Sequence, residues 1–373
     1  MCVISQTTRP SSPHTNITGL KVNGEAWRDE IIRKHRHSIR ALNLSQMYVT
    51  PEERSSFVFS NLSKFTCLRT LGLARIDRRF LPELSTQLAA LPNLKELDLS
   101  HTIWAKDFMG TNKKNVLRSL RVLWLRHSSI FDDELLWMTR LCPNLTDLDI
   151  GDCFNISEQG LESVLLGTSL KRLVMDRNNP WRAMKGSGLR HGLKKHADLL
   201  ALSVSNHDFE ENWYEHLSAK LLRLNVTWFS YLDLKFLRNR CHCLKKLVLD
   251  ACDVTEYDLL SFVATWSSLR DLSLEGLDAV TDNVVLEIAR QNSLYRLNIG
   301  RCFRVTLASI LSVEMSRFKE LQYLDIRDTS LVGGRQTRRK ILNLLPTCEI
   351  LFFFPEELTL RARRKQTKLH RSV

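Results

Sequence analysis

The chain has 373 residues, of which 43% are hydrophobic, and its formal net charge is +13. No stretch reaches the roughly 18 consecutive apolar residues of a membrane-spanning helix, so the sequence predicts no transmembrane segment. The first residues lack a basic start followed by an apolar core, which argues against a secretory signal. The nine cysteines, an odd number at repeated positions, favour reduced thiols. We therefore expect a cytoplasmic or nuclear protein.

The first 37 residues differ from the rest of the chain. Residues 1–18 are polar, with Ser, Thr and Pro, which predicts disorder. Residues 25–37, EAWRDEIIRKHRH, place Trp27, Ile31 and Ile32 on one helical face. We predict that residues 1–37 form a polar disordered tail followed by an N-terminal capping helix, because the end of a repeat array must shield its core.

From residue 38 onward an LxxLxL pattern recurs. In the clearest copy, Leu145, Leu148 and Ile150 form the pattern, and a helical stretch follows through Leu161 and Val164. The first apolar residue of each copy falls at Ile39, Leu68, Leu94, Leu120, Leu145, Leu170, Leu199, Leu221, Leu244, Leu269, Leu294, Leu321 and Cys348. These thirteen copies are 22 to 29 residues apart. A leucine-rich repeat has a period of about 20–29 residues.

Burial explains why such units must stack. One repeat cannot cover its own apolar face, so neighbouring repeats build a shared core. Strand side chains alternate, so the leucines point inward and the residues between them point to the other face. We predict that residues 38–354 form an α/β leucine-rich-repeat solenoid of about 13 repeats. It would be a curved horseshoe with parallel strands on the concave face and helices on the convex face.

The pattern is irregular between Leu170 and Leu244, where the spacings are 29, 22 and 23 residues. This region contains a basic loop, residues 177–197, and several aromatic residues, among them Trp181, Trp213 and Trp228. Long loops on a rigid scaffold are common binding positions. The alternative is that the aromatic side chains fill the core behind short helices.

The positive charge is concentrated in two segments. Residues 177–197 and 361–373 each contain six basic residues and no acidic one. Without these twelve, 42 basic residues face 41 acidic ones. We therefore predict a basic C-terminal tail, residues 355–373, and local contacts with anions rather than a continuous nucleic-acid groove.

Several repeats resemble the cysteine-containing class of leucine-rich repeats, with the form CxxLxxLxLxxCxxITDxxL. The matching stretches are residues 142–161 (CPNLTDLDIGDCFNISEQGL), 243–260, 268–285 and 293–310. Cys153, Cys252 and Cys302 each lie eight residues after the first repeat leucine, where the class places a cysteine in the turn. At the position where the class has a Thr that caps the helix, this chain has Ser157, Thr255 and Thr281.

This class of repeat is best known in F-box substrate receptors of cullin ubiquitin ligases and in their relatives without an F-box. The resemblance implies a substrate-recognition subunit, or a relative of one, with cullin-ligase subunits among its partners. An F-box would be about fifty residues long and begin with Leu-Pro, and the residues ahead of the first repeat show no such segment.

We predict a protein partner on the concave face. Trp and Arg are the usual anchors of protein interfaces, and several residues beside the strand leucines are of these types or carry a charge. The predicted partner-binding residues on exposed positions beside the strands are Trp124, Arg126, Asp149, Asp152, Asp176, Arg177, Trp228, Arg301 and Arg327. Trp181 of the basic loop is also predicted to bind the partner. The alternative for each is a locally paired charge or a packed aromatic ring.

No catalytic motif, such as GxSxG, HExxH or a P-loop, occurs. The trio Cys241, His242 and Cys243 lacks a second cluster with metal-ligand spacing. The sequence thus predicts a protein that is not an enzyme and has no cofactor or metal. Three functions stay open: a protein-interaction scaffold of a ubiquitin ligase, a nucleic-acid or anionic-lipid binder that uses residues 177–197 and the basic tail, and a regulator or inhibitor of a partner enzyme.

Overall fold

The computed structural model describes residues 16–18, 36–45, 62–78, 81–104, 116–177, 185–205, 209, 212–230, 232–291, 293–316, 318–329 and 335–352. Most of the predicted capping helix, Trp181 and the predicted basic tail lie outside these ranges. The chain divides into two compact units, where the sequence predicts one array. The first comprises residues 1–199 and 207–217, and the second comprises residues 200–206 and 218–373.

Short parallel strands form the inner layer of each unit. In the first unit they are β1 Asn16–Thr18, β2 Ala41–Asn43, β3 Thr70–Gly72, β4 Glu96–Asp98, β5 Val122–Trp124, β6 Asp147–Asp149 and β7 Arg172–Val174. In the second unit they are β8 Ala201–Ser203, β9 Arg223–Asn225, β10 Lys246–Val248, β11 Asp271–Ser273, β12 Arg296–Asn298, β13 Tyr323–Asp325 and β14 Glu349–Leu351. Within each unit, every strand pairs in parallel with the next one along the chain.

Helices connect most of these strands. The first unit has a 3-10 helix, Leu62–Lys64, and the helices α1 Leu81–Ala89, α2 Asp132–Leu141, α3 Glu158–Gly167 and α4 Ser187–Leu193. The second unit has α5 Leu234–Arg240, α6 Glu256–Val263, α7 Asp282–Gln291, α8 Leu307–Ile310, α9 Val313–Ser316 and α10 Arg335–Leu344. The alternation of strand and helix is that of a leucine-rich-repeat solenoid, and the predicted fold class is confirmed.

The predicted repeat register is also confirmed. If the first apolar residue of a repeat is position 1, the strand covers positions 3 to 5 in the first twelve repeats. In the last repeat the strand β14 begins one residue after Cys348 instead of two. The strand β1 lies within the segment predicted to be a disordered tail, and it pairs with β2. This pairing satisfies backbone groups that would otherwise be open at the edge of the first repeat.

The core is built from stacked leucines. Leu148 in the centre of β6 is in register with Leu123 and Leu173, and all three are fully buried. From the helical layer, Leu135 and Met138 of α2 are also buried. Neighbouring repeats therefore share one apolar core, as the burial argument requires.

A left-handed turn follows the strand in every repeat whose turn residue the structure describes. The backbone φ is positive at position 8 in all ten repeats where the structure describes this residue: Arg75, His101, His127, Asp152, Arg177, Trp228, Ala251, Gly276, Arg301 and Asp328. The N–H groups of these residues connect the repeats: His127 donates to the carbonyl of Gly151 at 2.9 Å, and Trp228 donates to that of Asp250 at 2.9 Å. This turn fixes which side chains lie at the end of the sheet.

The next residue, position 9, connects the repeats from inside. Cys153, Cys252 and Cys302 are buried free thiols at this position. Their Sγ–H groups donate to the carbonyls of the preceding repeat at 3.0, 2.8 and 3.1 Å, respectively. Burial raises the pKa of Cys153 and Cys302 to about 12 and that of Cys252 to about 11. They are the buried turn residues that the sequence predicts.

Helix caps agree with the sequence at two of three predicted positions. The Ser157 hydroxyl accepts from the N–H of Gly160 at 3.1 Å, and the Thr255 hydroxyl accepts from the N–H of Asp258 at 3.1 Å. The Thr281 hydroxyl instead donates to the Glu256 carboxylate of the preceding repeat at 2.6 Å.

Candidate protein-interaction surface

Trp124 lies on the open face of the first unit's sheet. The strand alternates here, so Leu123 and Leu125 are fully buried on the core side while Trp124 is half-buried on the other. Trp124 is in register with Asp98 of β4 and Asp149 of β6. Within the described part of the chain, its indole N–H has no hydrogen-bond acceptor. The strand register predicted from the leucines therefore holds at this residue.

A charge network lies beside Trp124. The Arg126 guanidinium reaches three carboxylates: its Nε is 3.3 Å from Asp149 Oδ2, its Nη1 is 3.1 Å from Asp152 Oδ2, and its Nη2 is 3.2 Å from Asp176 Oδ2. Burial alone would lower the pKa of Arg126, but the charges of Asp149 and Asp176 raise it. A Cβ at Gly151 would lie 2.6 Å from the guanidinium carbon, so the absent side chain leaves room for Arg126.

Arg177 and His127 complete this network around Asp152. Arg177 makes a bidentate contact with the Asp152 carboxylate, at 2.9 Å from Nε and 3.0 Å from Nη2. His127 Nε2 lies 3.4 Å from Asp152 Oδ2. The His127 ring stacks on that of His101, with 4.6 Å between the centroids. Burial, and then repulsion by His127, lowers the pKa of His101.

The carboxylates lie below the cations. The side chain of Asp152 is 4% exposed and that of Asp149 is 11% exposed, whereas those of Arg126 and Arg177 are 30% and 53% exposed. The prediction that Asp149 and Asp152 are exposed is therefore wrong, because guanidinium groups from neighbouring repeats cover them. The exposed charge of this network is therefore mainly that of the two guanidinium groups.

In the second unit, the predicted residues differ in how tightly they are paired. Arg327 makes a bidentate contact with the buried Asp325, at 2.9 Å from Nε and 2.6 Å from Nη2. Hydrogen bonding to Asp325, and its charge, raise the pKa of Arg327. Arg301 is only loosely paired, with its Nε 3.8 Å from Glu275 and 3.6 Å from Asp328.

The aromatic residues of the irregular region have separate roles. Trp213 and Phe229 are buried, each 2% exposed, so they belong to the core. Trp228 is 65% exposed in the left-handed turn. Trp181 lies outside the described residues, and the structure does not test its predicted role.

Part of the basic loop is neutralised within the first unit. Arg177 pairs with Asp152, and Arg190 pairs with Glu215. The Lys195 ammonium donates to the carbonyl of Leu166 and keeps its charge. The described part of this loop is therefore less cationic than its composition indicates.

Sequence reasoning missed the histidines at position 8 and a polar network in the second unit. In that network, Asp250 Oδ1 accepts from the Ser273 hydroxyl at 2.6 Å, and Asn298 Nδ2 donates to Glu275 Oε2 at 3.1 Å. Aligning the repeats by position would have found them. These residues occupy positions 5, 7 and 8 of successive repeats, which surround the end of each strand.

The structure also bears on metals and membranes. Among the described residues, no group of three or more His, Cys, Asp or Glu side chains is placed to hold a metal ion. The Sγ of Cys241 is instead 3.8 Å from the carbonyl of Ser218. None of the described helices combines the length and the apolar character that crossing a membrane requires.

By its strands, turns and helices the chain is a leucine-rich-repeat protein. No family model matches it. Among solved structures it is similar to an internalin, InlF, from Listeria monocytogenes, with 15% identity and a TM-score of 0.43 over 85% of this chain and 81% of that one. It is also similar to TLR13 in a complex with ssRNA13, with 14% identity and a TM-score of 0.49 over 85% of this chain and 49% of that one. At these values neither likeness bears on function.

Proposed function

We propose that the chain is a protein-interaction scaffold that binds a protein partner on the open sheet face of its first unit. The observation that carries this proposal is Trp124, an aromatic side chain on the sheet that is partly open to solvent. Among the described residues, its indole N–H has no hydrogen-bond acceptor. Trp is the residue type most enriched among the energetic centres of protein interfaces.

The neighbouring charge network supports the same face. Arg126 is held by three carboxylates and Arg177 by one, so their outer N–H groups are fixed before a partner arrives. Fixing a long side chain on binding costs about 0.5–1.5 kcal/mol, and this network removes that cost in advance. An indole surface next to ordered donors suits a segment that carries apolar side chains and hydrogen-bond acceptors.

We further propose that the scaffold is the substrate-recognition subunit, or a relative of one, of an SCF-type cullin ubiquitin ligase in the cytoplasm or nucleus. The support is the sequence pattern of the repeats at 142–161, 243–260, 268–285 and 293–310, which resembles that of the cysteine-containing class. In three of these stretches a turn cysteine connects neighbouring repeats, and Ser157 and Thr255 cap the helices that follow.

Affinity capture of the full chain from cells, followed by mass spectrometry, tests both the scaffold role and the ligase role. We expect a protein partner that Trp124→Ala loses and that the matched variant Tyr257→Ala keeps, because Tyr257 is an exposed aromatic residue of α6, outside the face. Recovery of cullin-complex subunits would support the ligase role, and their absence alongside a Trp124-dependent partner would reject that role while leaving the scaffold. A partner that binds equally to the parent and Trp124→Ala would reject this face.

A further inference from the structure

Trp228 of the second unit presents its indole ring to solvent. Trp228 is 65% exposed, and its backbone φ is 63°. Within the described residues the ring makes no hydrogen bond, ion pair or ring contact. The turn fixes the backbone, because the N–H of Trp228 donates to the carbonyl of Asp250 at 2.9 Å. The ring is therefore an aromatic surface that is largely open to solvent, on a backbone held in place by the turn.

The next two repeats have almost no side chain at the equivalent position. Position 8 is Ala251 in one and Gly276 in the other, and a Cβ added to Gly276 would have no atom within 4 Å. Arg301 occupies position 8 of the repeat after those. Strands are about 4.8 Å apart, so the backbones of Trp228 and Arg301 are about 14 Å apart. We call Trp228, Ala251, Gly276 and Arg301 the recess, because its two middle members have almost no side chain.

The two middle turns of the recess are acidic, although the chain as a whole carries a net charge of +13. The turn stretches 249–254 and 274–279 contain four acidic residues and no Lys or Arg: Asp250, Asp253, Glu275 and Asp278. Asp253 and Asp278 are exposed and have no ion-pair partner within the described residues. Arg301 is loosely paired with Glu275, at 3.8 Å from its Nε. The charge of Lys246 acts on Asp250, and Arg327 and Glu275 also interact electrostatically.

Asp250 is a carboxylate of this group whose charged form is disfavoured by burial. It is half-buried, and its Oδ1 accepts from the Ser273 hydroxyl at 2.6 Å and the Glu275 N–H at 2.9 Å. It has no ion pair among the described residues, and burial raises its pKa. A cation placed in the recess would stabilise the charged form of this group.

We propose that the recess binds a lysine or arginine side chain of a basic protein segment, with the cation against the Trp228 ring and within reach of Asp250 and Glu275. A cation over an indole face is attracted by the ring's negative π surface, and Trp is the best of the aromatic residues for this contact. The four carboxylates select a basic segment and repel an acidic one. This inference rests on the proposed scaffold function and names the chemistry of a partner at the second unit.

Fluorescence anisotropy of the full chain with a labelled nonapeptide of alternating Arg and Gly tests it. A peptide with Glu in place of Arg is the control ligand. We expect the Arg peptide to bind, and the Glu peptide not to bind. Trp228→Ala and the double variant Asp253→Asn/Asp278→Asn should each weaken binding at least tenfold. The matched variants Tyr257→Ala and Glu287→Gln, which change an exposed aromatic and a carboxylate outside the recess, should stay within twofold of the parent.

Three outcomes would overturn the proposal. The first is equal binding of the two peptides, and the second is unchanged binding by Trp228→Ala that melts like the parent. The third concerns deletion of residues 361–373. If this deletion raises the affinity for the Arg peptide tenfold in the parent but not in Trp228→Ala, the recess is occupied by this chain's own basic tail. The assay needs no cellular partner, so its failure would be separable from a failure of the capture experiment.

Discussion

Replacing Arg126 with Met should destabilise the first unit more than its partial exposure suggests. The guanidinium makes contacts of 3.1 to 3.3 Å with three carboxylates, and the side chains of these aspartates are only 4% to 16% exposed. Removing one partner of a buried ion pair costs about 3–5 kcal/mol, because a desolvated charge remains. Arg126 is itself 30% exposed, which lets water reach the remaining carboxylates, so we expect a loss of about 2–3 kcal/mol.

Urea unfolding followed by circular dichroism measures this loss, and Arg177→Met is the matched control. Arg177 is 53% exposed, and Asp152 keeps its contact with Arg126 when Arg177 is removed, so we expect a loss below about 1 kcal/mol. Adding Asp149→Asn and Asp176→Asn to Arg126→Met should recover part of the stability, because the unpaired charges are then gone. Equal losses for the two arginine variants would show that water already solvates the carboxylates.

Three other variants or conditions test the fold. Leu148→Ala should cost about 2–5 kcal/mol of unfolding free energy through lost burial and a cavity, and a variant that melts like the parent would contradict the shared leucine core. Thiol labelling of the native protein should be slow at Cys153, Cys252 and Cys302 and fast after denaturation, and rapid native labelling would show that the turns open. His196 is buried and burial lowers its pKa, so the unfolded chain takes up a proton before the folded chain does as the pH falls below about 6.5. The free energy of unfolding should therefore fall below that pH, and it should fall less in His196→Gln. Equal losses in the parent and the variant would contradict the burial of His196.

The strand register was predictable because a period-two pattern leaves only one way to bury the leucines. Leu123 and Leu125 assign Trp124 to the open face without further information. The helix starts at Ser157 and Thr255 were predictable for a similar reason, since a hydroxyl just before an apolar helical run satisfies an open backbone N–H. These features depend on local sequence and one rule of burial.

The burial of Asp149 and Asp152 was not predictable from the same pattern. It depends on guanidinium groups from the repeats before and after, so the partners are 23 to 26 residues apart in sequence. The left-handed turn could not be predicted either, because five of the ten described residues at position 8 are Arg, Trp or Ala, which rarely adopt a positive φ. The hydrogen bonds between repeats impose this conformation on Trp228 and Arg301, whatever their intrinsic preference.

Site-specific photo-crosslinking tests the central claim most directly. A benzophenone amino acid would replace Val122, which lies beside Trp124 on the open face, or Gln159, an exposed residue of α3 in the helical layer, in the full chain in cells. We predict that a protein partner is crosslinked from position 122 and not from position 159. A partner crosslinked only from position 159, or equally from both positions, would contradict binding at the open face of the sheet.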